Sequence, residues 1–286
     1  MKTTTKLYTM TLGIDLGISA TKFVIIDNGE VTFREIKQQP MSIELLEWYL
    51  DTVETLGRMR ITEIAVTGVG SQKIGDRLYN RPVTHVDEFE ANALSAQRFV
   101  GKEKFIVASM GTGTSFVLAD NGVYSHIGGS ALGGGTLQGL MHLLLPGVDF
   151  REFRTLAAEG DLANVDLQIR DVSPVELPDL PMDTTAVNFA KVQASTDKAD
   201  IAAGLVNLIL QNIGVMVNLA GKPRGIDTFC FIGQMAAMPQ SRVIFDRLEK
   251  LYGITILVPE HPETFTALGA ALKIVDLGIG SMELRN

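Results

Sequence analysis

Between Phe105 and Thr136 the chain carries two glycine clusters set among apolar, strand-like runs, and no other stretch restricts its possible folds as much. Phe105, Ile106 and Val107 precede Ala108-Ser-Met-Gly-Thr-Gly-Thr-Ser, and Phe116, Val117 and Leu118 follow it, so Gly111 to Thr114 read as the tight turn between two strands. Gly111 and Gly113 can take positive φ, which lets successive backbone amides converge on an anion while Thr112, Thr114 and Ser115 supply hydroxyls. The second cluster, Gly128-Gly-Ser-Ala-Leu-Gly-Gly-Gly-Thr, runs into Leu137, Leu140, Met141, Leu143 and Leu144, the spacing of a helix whose N-terminal amides would face the same anion. Phosphate is the guest that suits such a pair. Neither cluster has the spacing of the two common nucleotide-binding glycine motifs. Taken alone, Gly111 to Ser115 reads as readily as an ordinary hairpin turn, and Gly133 to Gly135 as a flexible connection.

The start of the chain shifts that balance. Leu12 to Ile26 reads as strand, turn, strand, with Val31 to Ile36 as a third strand. Asp15 ends an apolar strand, where an unpaired carboxylate is costly to bury, and Gly17, Ser19, Thr21 and Lys22 surround it with donors. A hydrated Mg²⁺ suits such a carboxylate, because this ion keeps most of its waters; an Asx-type turn is the plainer alternative. Apolar residues at Ile43, Leu46, Leu50, Val53 and Leu56 predict an amphipathic helix capped by Ser42, and Ile61 to Thr67 a strand, with Val69-Gly-Ser leaving its carboxyl end. The helix starting near His85 has Asp87, Glu88 and Glu90 crowded into its first turn, a placement that the helix dipole alone accounts for.

In the second half, Arg151 to Gly160 reads as a helix and the proline-bearing stretch from Ile169 to Thr185 as a surface loop. Ala199 to Ala220 is apolar enough to be buried against a sheet or a second subunit. Strand, helix, strand, helix close the chain at Thr228 to Ile232, Met238 to Tyr252, Ile254 to Val258 and Glu263 to Asp276, with Gly233 directly after the first strand and Gly269 where another backbone could approach closely. This repeats the first half's scheme. A duplicated α/β architecture with a cleft between two lobes follows, the lobes spanning 10–103 and 104–286.

Composition narrows the function classes. A chain of 286 residues is long for one core, and its hydrophobic (46%) and charged (20%) fractions are those of a globular protein. No uninterrupted apolar run approaches the roughly 20 residues needed to cross a bilayer, and Lys2 and Lys6 are not followed by a signal-type apolar segment, so Met1 to Thr9 reads as a frayed leader and the cytoplasm as the expected location. A net charge of −8 without a basic block argues against nucleic acid as partner. Cys230 is the single cysteine, which excludes an internal disulfide and cysteine-based metal sites within one chain.

Several of these stretches resemble a known family. Asp15-Leu-Gly-Ile-Ser-Ala-Thr-Lys is similar to the first phosphate motif of the superfamily of sugar kinases, acetate kinase, actin and the heat-shock chaperones; Met110-Gly-Thr-Gly-Thr-Ser is similar to its second, and Gly233 opens its adenosine-side loop. Within that superfamily the chain most resembles the type II pantothenate kinases, through Glu88-Phe-Glu-Ala, Met110 to Ser115, the Gly128 to Thr136 stretch, Asp161 to Asp166 with Arg170, Ala186-Val-Asn-Phe-Ala-Lys-Val, and Thr266-Ala-Leu-Gly-Ala. The resemblance implies duplicated ribonuclease H-like lobes as in actin-like ATPases, a homodimer, and transfer of the ATP γ-phosphoryl group to the primary hydroxyl of pantothenate. It implies Glu88 as general base, and Asp15 as the residue holding Mg²⁺ through its waters. It also implies nucleotide contacts from Asp15, Gly17, Ser19, Lys22, Gly111, Thr112, Gly113, Thr114, Ser115, Gly133, Gly134, Gly135 and Gly233, and substrate contacts at His126, Gly128 and Ala190.

Three positions depart from the family pattern. Ile18 follows Gly17 where a second glycine is usual, Ala190 replaces the glycine of an Asn-Phe-Gly segment, and His126 stands where the family has an arginine that contacts pantothenate. An imidazole is shorter than a guanidinium, lacks its fork of donors and is mostly neutral at pH 7, so carboxylate recognition should be weaker or replaced. A same-fold kinase for another small hydroxyl compound and a non-catalytic ATP-binding regulator are the alternatives. An iron–sulfur activator ATPase is disfavoured, because even a dimer-bridging cluster needs two cysteines per subunit.

Overall fold

The structure, a computed structural model, describes residues 10–57, 60–176 and 180–278. The expected leader, Pro178 and the last eight residues of the second lobe lie outside the described residues. In chain order the elements are β1 (Met10–Leu16), β2 (Thr21–Asp27), β3 (Glu30–Lys37), α1 (Ile43–Gly57), β4 (Ile61–Thr67), β5 (Arg77–Leu78), β6 (Arg81–His85), α2 (Glu88–Val100), β7 (Lys104–Met110), β8 (Thr114–Asp120), β9 (Val123–Ser130), α3 (Gly134–Leu144) and α4 (Phe150–Glu159). They continue with β10 (Leu167–Gln168), α5 (Ile169–Val172), β11 (Thr185–Val187), α6 (Lys198–Gly221), β12 (Thr228–Ile232), α7 (Ser241–Tyr252), β13 (Thr255–Leu257) and α8 (Phe265–Gly278).

Two compact units result, one of residues 1–102 with 263–286 and one of residues 103–262. In the first, the sheet order is β3-β2-β1-β4-β6-β5, with β1, β2 and β3 antiparallel and β4 and β6 parallel to β1. In the second, the order is β13-β12-β7-β8-β9, with β7, β8 and β9 antiparallel and β12 parallel to β7. The same five-strand scheme therefore occurs twice, as the repeated hydrophobic pattern predicts.

Each sheet alternates as a half-buried surface must. Leu12, Ile14 and Leu16 pack with Leu46 and Leu50 of α1 in one core, while Gly13 and Asp15 point to the opposite face. On that face α8 lies against β1, β4 and α2. A Cβ at Gly13 would fall 2.0 Å from the carbonyl oxygen of Ala267, and one at Gly269 1.7 Å from that of Ala91, so two glycines admit α8 at backbone distance. This corrects the domain boundary at 104–286: the last helix belongs to the first unit, where Gly13 and Gly269 open a seat for it. In the second unit α6 is the centre of the core, with Val206, Ile209, Leu210 and Ile213 fully buried among α3, α4 and α7. By length and composition Lys198–Arg224 could span a membrane, but 61% of its apolar window is buried within this core.

The proline-bearing stretch after Ile169 is more ordered than a surface loop. It holds the short α5 and the two-stranded β10–β11 sheet. The strands β5 and β6 also went unread, because two and five residues around Asn80 carry too little alternation to register.

Candidate active site

Asp15 sits at the carboxyl end of β1, paired in register with Thr67 of the neighbouring β4. Its side chain is 8% exposed, and the carboxylate accepts a hydrogen bond from the Lys22 ammonium of β2 at 2.9 Å, an ion pair that offsets the cost of burial. Gly17 makes this approach possible: its own Cβ would come within 3.1 Å of Lys22 Nζ and 2.8 Å of the Ala20 carbonyl oxygen. Gly68 does the same from the other side, with φ +84° and a Cβ that would lie 2.6 Å from Asp15 Oδ1. Sequence reasoning missed Gly68; its signal was a glycine directly after an apolar strand. Ser19 is exposed in the β1–β2 turn.

The three acids at the start of α2 separate into distinct occupations. Asp87 is the N-cap, accepting from the amides of Phe89 and Glu90 at 2.9 and 3.0 Å. Glu90 accepts from Lys273 of α8 at 2.6 Å. Glu88 is left half-buried within electrostatic reach of Asp15 and Lys22. Burial raises its pKa above the ordinary glutamate value, the Asp15 charge adds to the rise, and Lys22 opposes it. A carboxylate so raised is a better proton acceptor than an ordinary glutamate.

In the second unit, Gly111, Thr112 and Gly113 form the tip between β7 and β8, with Gly111 and Thr112 exposed. Neither Gly111 nor Gly113 uses the left-handed region. What glycine supplies here is room, since a Cβ at Gly113 would meet the Ser130 carbonyl oxygen at 3.3 Å. Gly133 to Gly135 pack directly beneath: the amides of Gly134 and Gly135 donate to the carbonyls of Gly111 and Thr112 at 2.8 and 2.9 Å, and a Cβ at Gly133 would fall 2.6 Å from the Thr112 oxygen. The first amides of α3 thus brace the turn rather than pointing at an anion. Thr114 is similarly committed, its hydroxyl donating to the Leu132 carbonyl at 2.8 Å, while Ser115 pairs with Ser109 in the β7–β8 ladder. Gly233, at φ +94°, ends β12 beside β7; its Cβ would lie 2.4 Å from the Met110 oxygen, one residue before the turn. Among the residues expected in the second unit's phosphate site, the turn, its brace and Gly233 are therefore contiguous.

The substrate-side positions fall on two elements. His126 and Gly128 lie on β9 around an irregularity in its pairing with β8, where Phe116 opposes Gly128 and Val117 opposes His126, leaving Ile127 as an extra residue. Gly128 takes φ +146°, and His126 is exposed. Ala190 is exposed in the turn after β11, which Asp166 organises: this fully buried carboxylate accepts from Thr185 and Asn207 side chains at 3.0 and 2.9 Å and from the Phe189 amide at 2.9 Å. Phe189, at φ +61°, is held in place by that bond.

The family model described as Fumble matches residues 97–246. A type II pantothenate kinase of Staphylococcus epidermidis RP62A is 30% identical over 212 residues, covering 72% of this chain and 76% of the relative. This chain belongs to the Fumble family, that of the type II pantothenate kinases. The relative from Staphylococcus aureus USA300, of the same name, is 29% identical over 214 residues, with 73% and 76% covered. Solved structures share the fold. The activator of 2-hydroxyisocaproyl-CoA dehydratase from Clostridium difficile, with bound ADPNP, superposes with a TM-score of 0.65 at 19% identity, covering 97% of this chain and all of that one. A ROK glucokinase from Streptomyces griseus, in complex with glucose and AMPPNP, gives 0.61 at 12% identity over 92% and 98% of the two chains. The fold is therefore that of the actin-like ATPases and hexokinases, and the family's chemistry is phosphoryl transfer. The chain's sole cysteine, Cys230, is fully buried in β12 with its thiol pushed up to about 12, which is no setting for a cluster ligand.

Proposed function

We propose that this chain transfers the γ-phosphoryl group of ATP to the primary hydroxyl of pantothenate, as a homodimer in the cytoplasm. The observation that carries the reading is Glu88: of the three acids opening α2, it is the one that interacts electrostatically with the Asp15–Lys22 pair while the other two are engaged elsewhere, and its pKa is raised. In this mechanism Glu88 accepts the hydroxyl proton as the oxygen attacks, and a raised pKa makes it a better match for that proton. In the first unit Lys22 supplies positive charge suited to a phosphoryl group; in the second, taken by itself, the turn from Gly111 to Gly113 is suited to cradle phosphate on a brace that keeps it rigid.

A magnesium ion fits the donor set. Among the described residues no cluster of three or more His, Cys, Asp or Glu side chains forms a metal cage, so the ion would keep its waters. The Asp15 carboxylate, and beside it the buried Thr67 hydroxyl that has no partner among the described residues, would receive them. Bound there, the ion would neutralise phosphate charge.

The test is ADP release from Mg-ATP with and without pantothenate, with Glu88→Gln as the variant. Pantothenate-dependent release that falls on the order of 10²-fold or more in Glu88→Gln, with ATP binding retained, is the expected result. Full turnover in that variant would remove Glu88 from the mechanism. His126 favours a second reading, a same-fold kinase for another hydroxyl compound. Under that reading pantothenate does not stimulate ADP release, and His126→Arg does not restore stimulation.

A further inference from the structure

One turn beyond Glu88 on α2 lies Asn92, completely buried. Residues four apart share a helix face, with Cβ atoms roughly 5–6 Å apart. Asn92 Oδ1 accepts a hydrogen bond from the Thr266 hydroxyl of α8 at 2.8 Å, which fixes the amide plane. Its Nδ2, a donor of two protons, is buried with no partner among the described residues. Leaving such a donor unsatisfied costs about 1–3 kcal/mol, and an alanine or leucine would fill the same helix–helix contact without that cost.

Thr67 repeats the situation from the sheet. Its side chain is on the face of β4 that α2 and α8 cover, because it lies two residues after Ala65, which packs with Ala91 and Ala270, and side chains two apart on a strand share a face. Its hydroxyl is also fully buried and without a partner. Two unsatisfied polar groups thus lie in the first unit next to the two carboxylates that the proposed mechanism uses: Thr67 across from Asp15, and Asn92 one turn behind Glu88. Glu88 interacts electrostatically with Asp15 and Lys22 of the sheet and with Asp87 of its own helix, while Lys273 on α8 is engaged with Glu90.

We infer that Asn92 is a positioning residue for Glu88: with its oxygen held by Thr266, its amide donates through one ordered water to the Glu88 carboxylate and keeps it aimed at the acceptor hydroxyl. This rests on the proposed role of Glu88 as base. A donor to the carboxylate favours its charged form, so removing it should raise the pKa of Glu88 further and weaken its aim.

The experiment measures single-turnover phosphoryl transfer against pH for the full chain and for Asn92→Ala, Asn92→Asp, Thr266→Val and Glu88→Gln. In Asn92→Ala the rate at pH 7 should fall roughly 10- to 100-fold, the loss of one hydrogen bond to a charged group, with the KM for ATP unchanged within twofold. The acid limb of the profile should move to higher pH, and further still in Asn92→Asp, which adds a negative charge. Thr266→Val, which frees the amide to rotate, should move the limb in the same direction by less, and decides the matter if the Asn92 variants do not fold. An acid limb at its original pH in every folded variant overturns the inference, since a purely structural Asn92 would lower stability without moving it. Glu88→Gln separates the two levels: if it retains turnover the reading of Glu88 fails, whereas loss there with silent Asn92 and Thr266 variants refutes the positioning role alone.

Discussion

Gly269→Ala is the substitution that most directly tests how the first unit is assembled. The glycine lies within α8, where alanine ordinarily gains about 1 kcal/mol through helix propensity. Here its Cβ would stand 1.7 Å from the Ala91 oxygen, 2.5 Å from the Ala91 carbonyl carbon and 2.9 Å from its Cα. Ordinary contacts begin near 3.4 Å. All three opposing atoms are backbone, so no rotamer can yield, and α2 and α8 must part by roughly 1.5 Å. Overpacking of this kind costs typically 1–3 kcal/mol where side chains can adjust; with backbone on one side the cost should reach about 3–4 kcal/mol, leaving a net loss of about 2–3 kcal/mol after the propensity gain. Because α2 carries Glu88, the same displacement should lower turnover on the order of 10²-fold. Urea unfolding followed by circular dichroism, with turnover measured on the folded fraction, provides the assay. The matched control is Gly139→Ala, an exposed position in α3 whose Cβ would meet nothing within 4 Å, and which should be stabilising by about 0.5–1 kcal/mol. Equal stability of Gly269→Ala and the unsubstituted chain would refute the close backbone approach and with it the assignment of α8 to the first unit.

Three further outcomes are expected. Phosphoryl transfer should be lost as pH falls, because the base must be deprotonated; with the pKa of Glu88 raised, the acid limb of kcat/KM should lie above the ordinary glutamate value of about 4.3 rather than at it. Lys22→Met strands the buried Asp15 carboxylate and should lower stability by roughly 3 kcal/mol in thermal or urea unfolding, whereas Lys104→Met, which breaks an exposed pair with Asp120, should change it by less than about 1 kcal/mol. Cys230, buried and with its thiol pushed up to about 12, should resist iodoacetamide at pH 8 in the native protein and react at once in denaturant; rapid labelling without unfolding would contradict its place in β12.

The duplicated sheet was legible because both halves carry the same order of long, apolar strands, and Phe105 to Val107 or Leu12 to Ile14 have little alternative when both faces are covered. Short elements were not, since β10, β11 and α5 are fixed by Asp166, Thr185 and Asn207, three residues that meet only in the fold. The place of α8 also could not be read in sequence order. Gly13 and Gly269 are 256 residues apart, and neither declares by itself which backbone it admits. At the site, Asp15, Lys22 and Gly17 were named together because a hairpin brings neighbours together. Helix-dipole reasoning alone could not separate Glu88 from Asp87 and Glu90, because charge near a helix start is common to all three; the family resemblance named Glu88, and the fold adds the partners that distinguish them.

The two glycine clusters show how a correct association can hide a different cause. Read in sequence, both offer amides, and the natural inference is that both address one phosphate. The fold does join them, through Gly134 and Gly135 donating to Gly111 and Thr112, but that junction occupies those two amides of the second cluster. Each glycine of the brace answers to a backbone atom: Gly133 to the Thr112 oxygen, Gly129 to the Thr114 oxygen at 2.4 Å, and Gly233 to the Met110 oxygen. A turn held on three sides by backbone cannot be repacked by changing side chains, and it needs no ligand to take its shape. Such rigidity is what electrostatic stabilisation of a transferring phosphoryl group requires, since donors already in position pay no reorganisation cost when charge develops. Under the proposed function, the glycines of the second cluster would serve phosphate binding by holding the first cluster still.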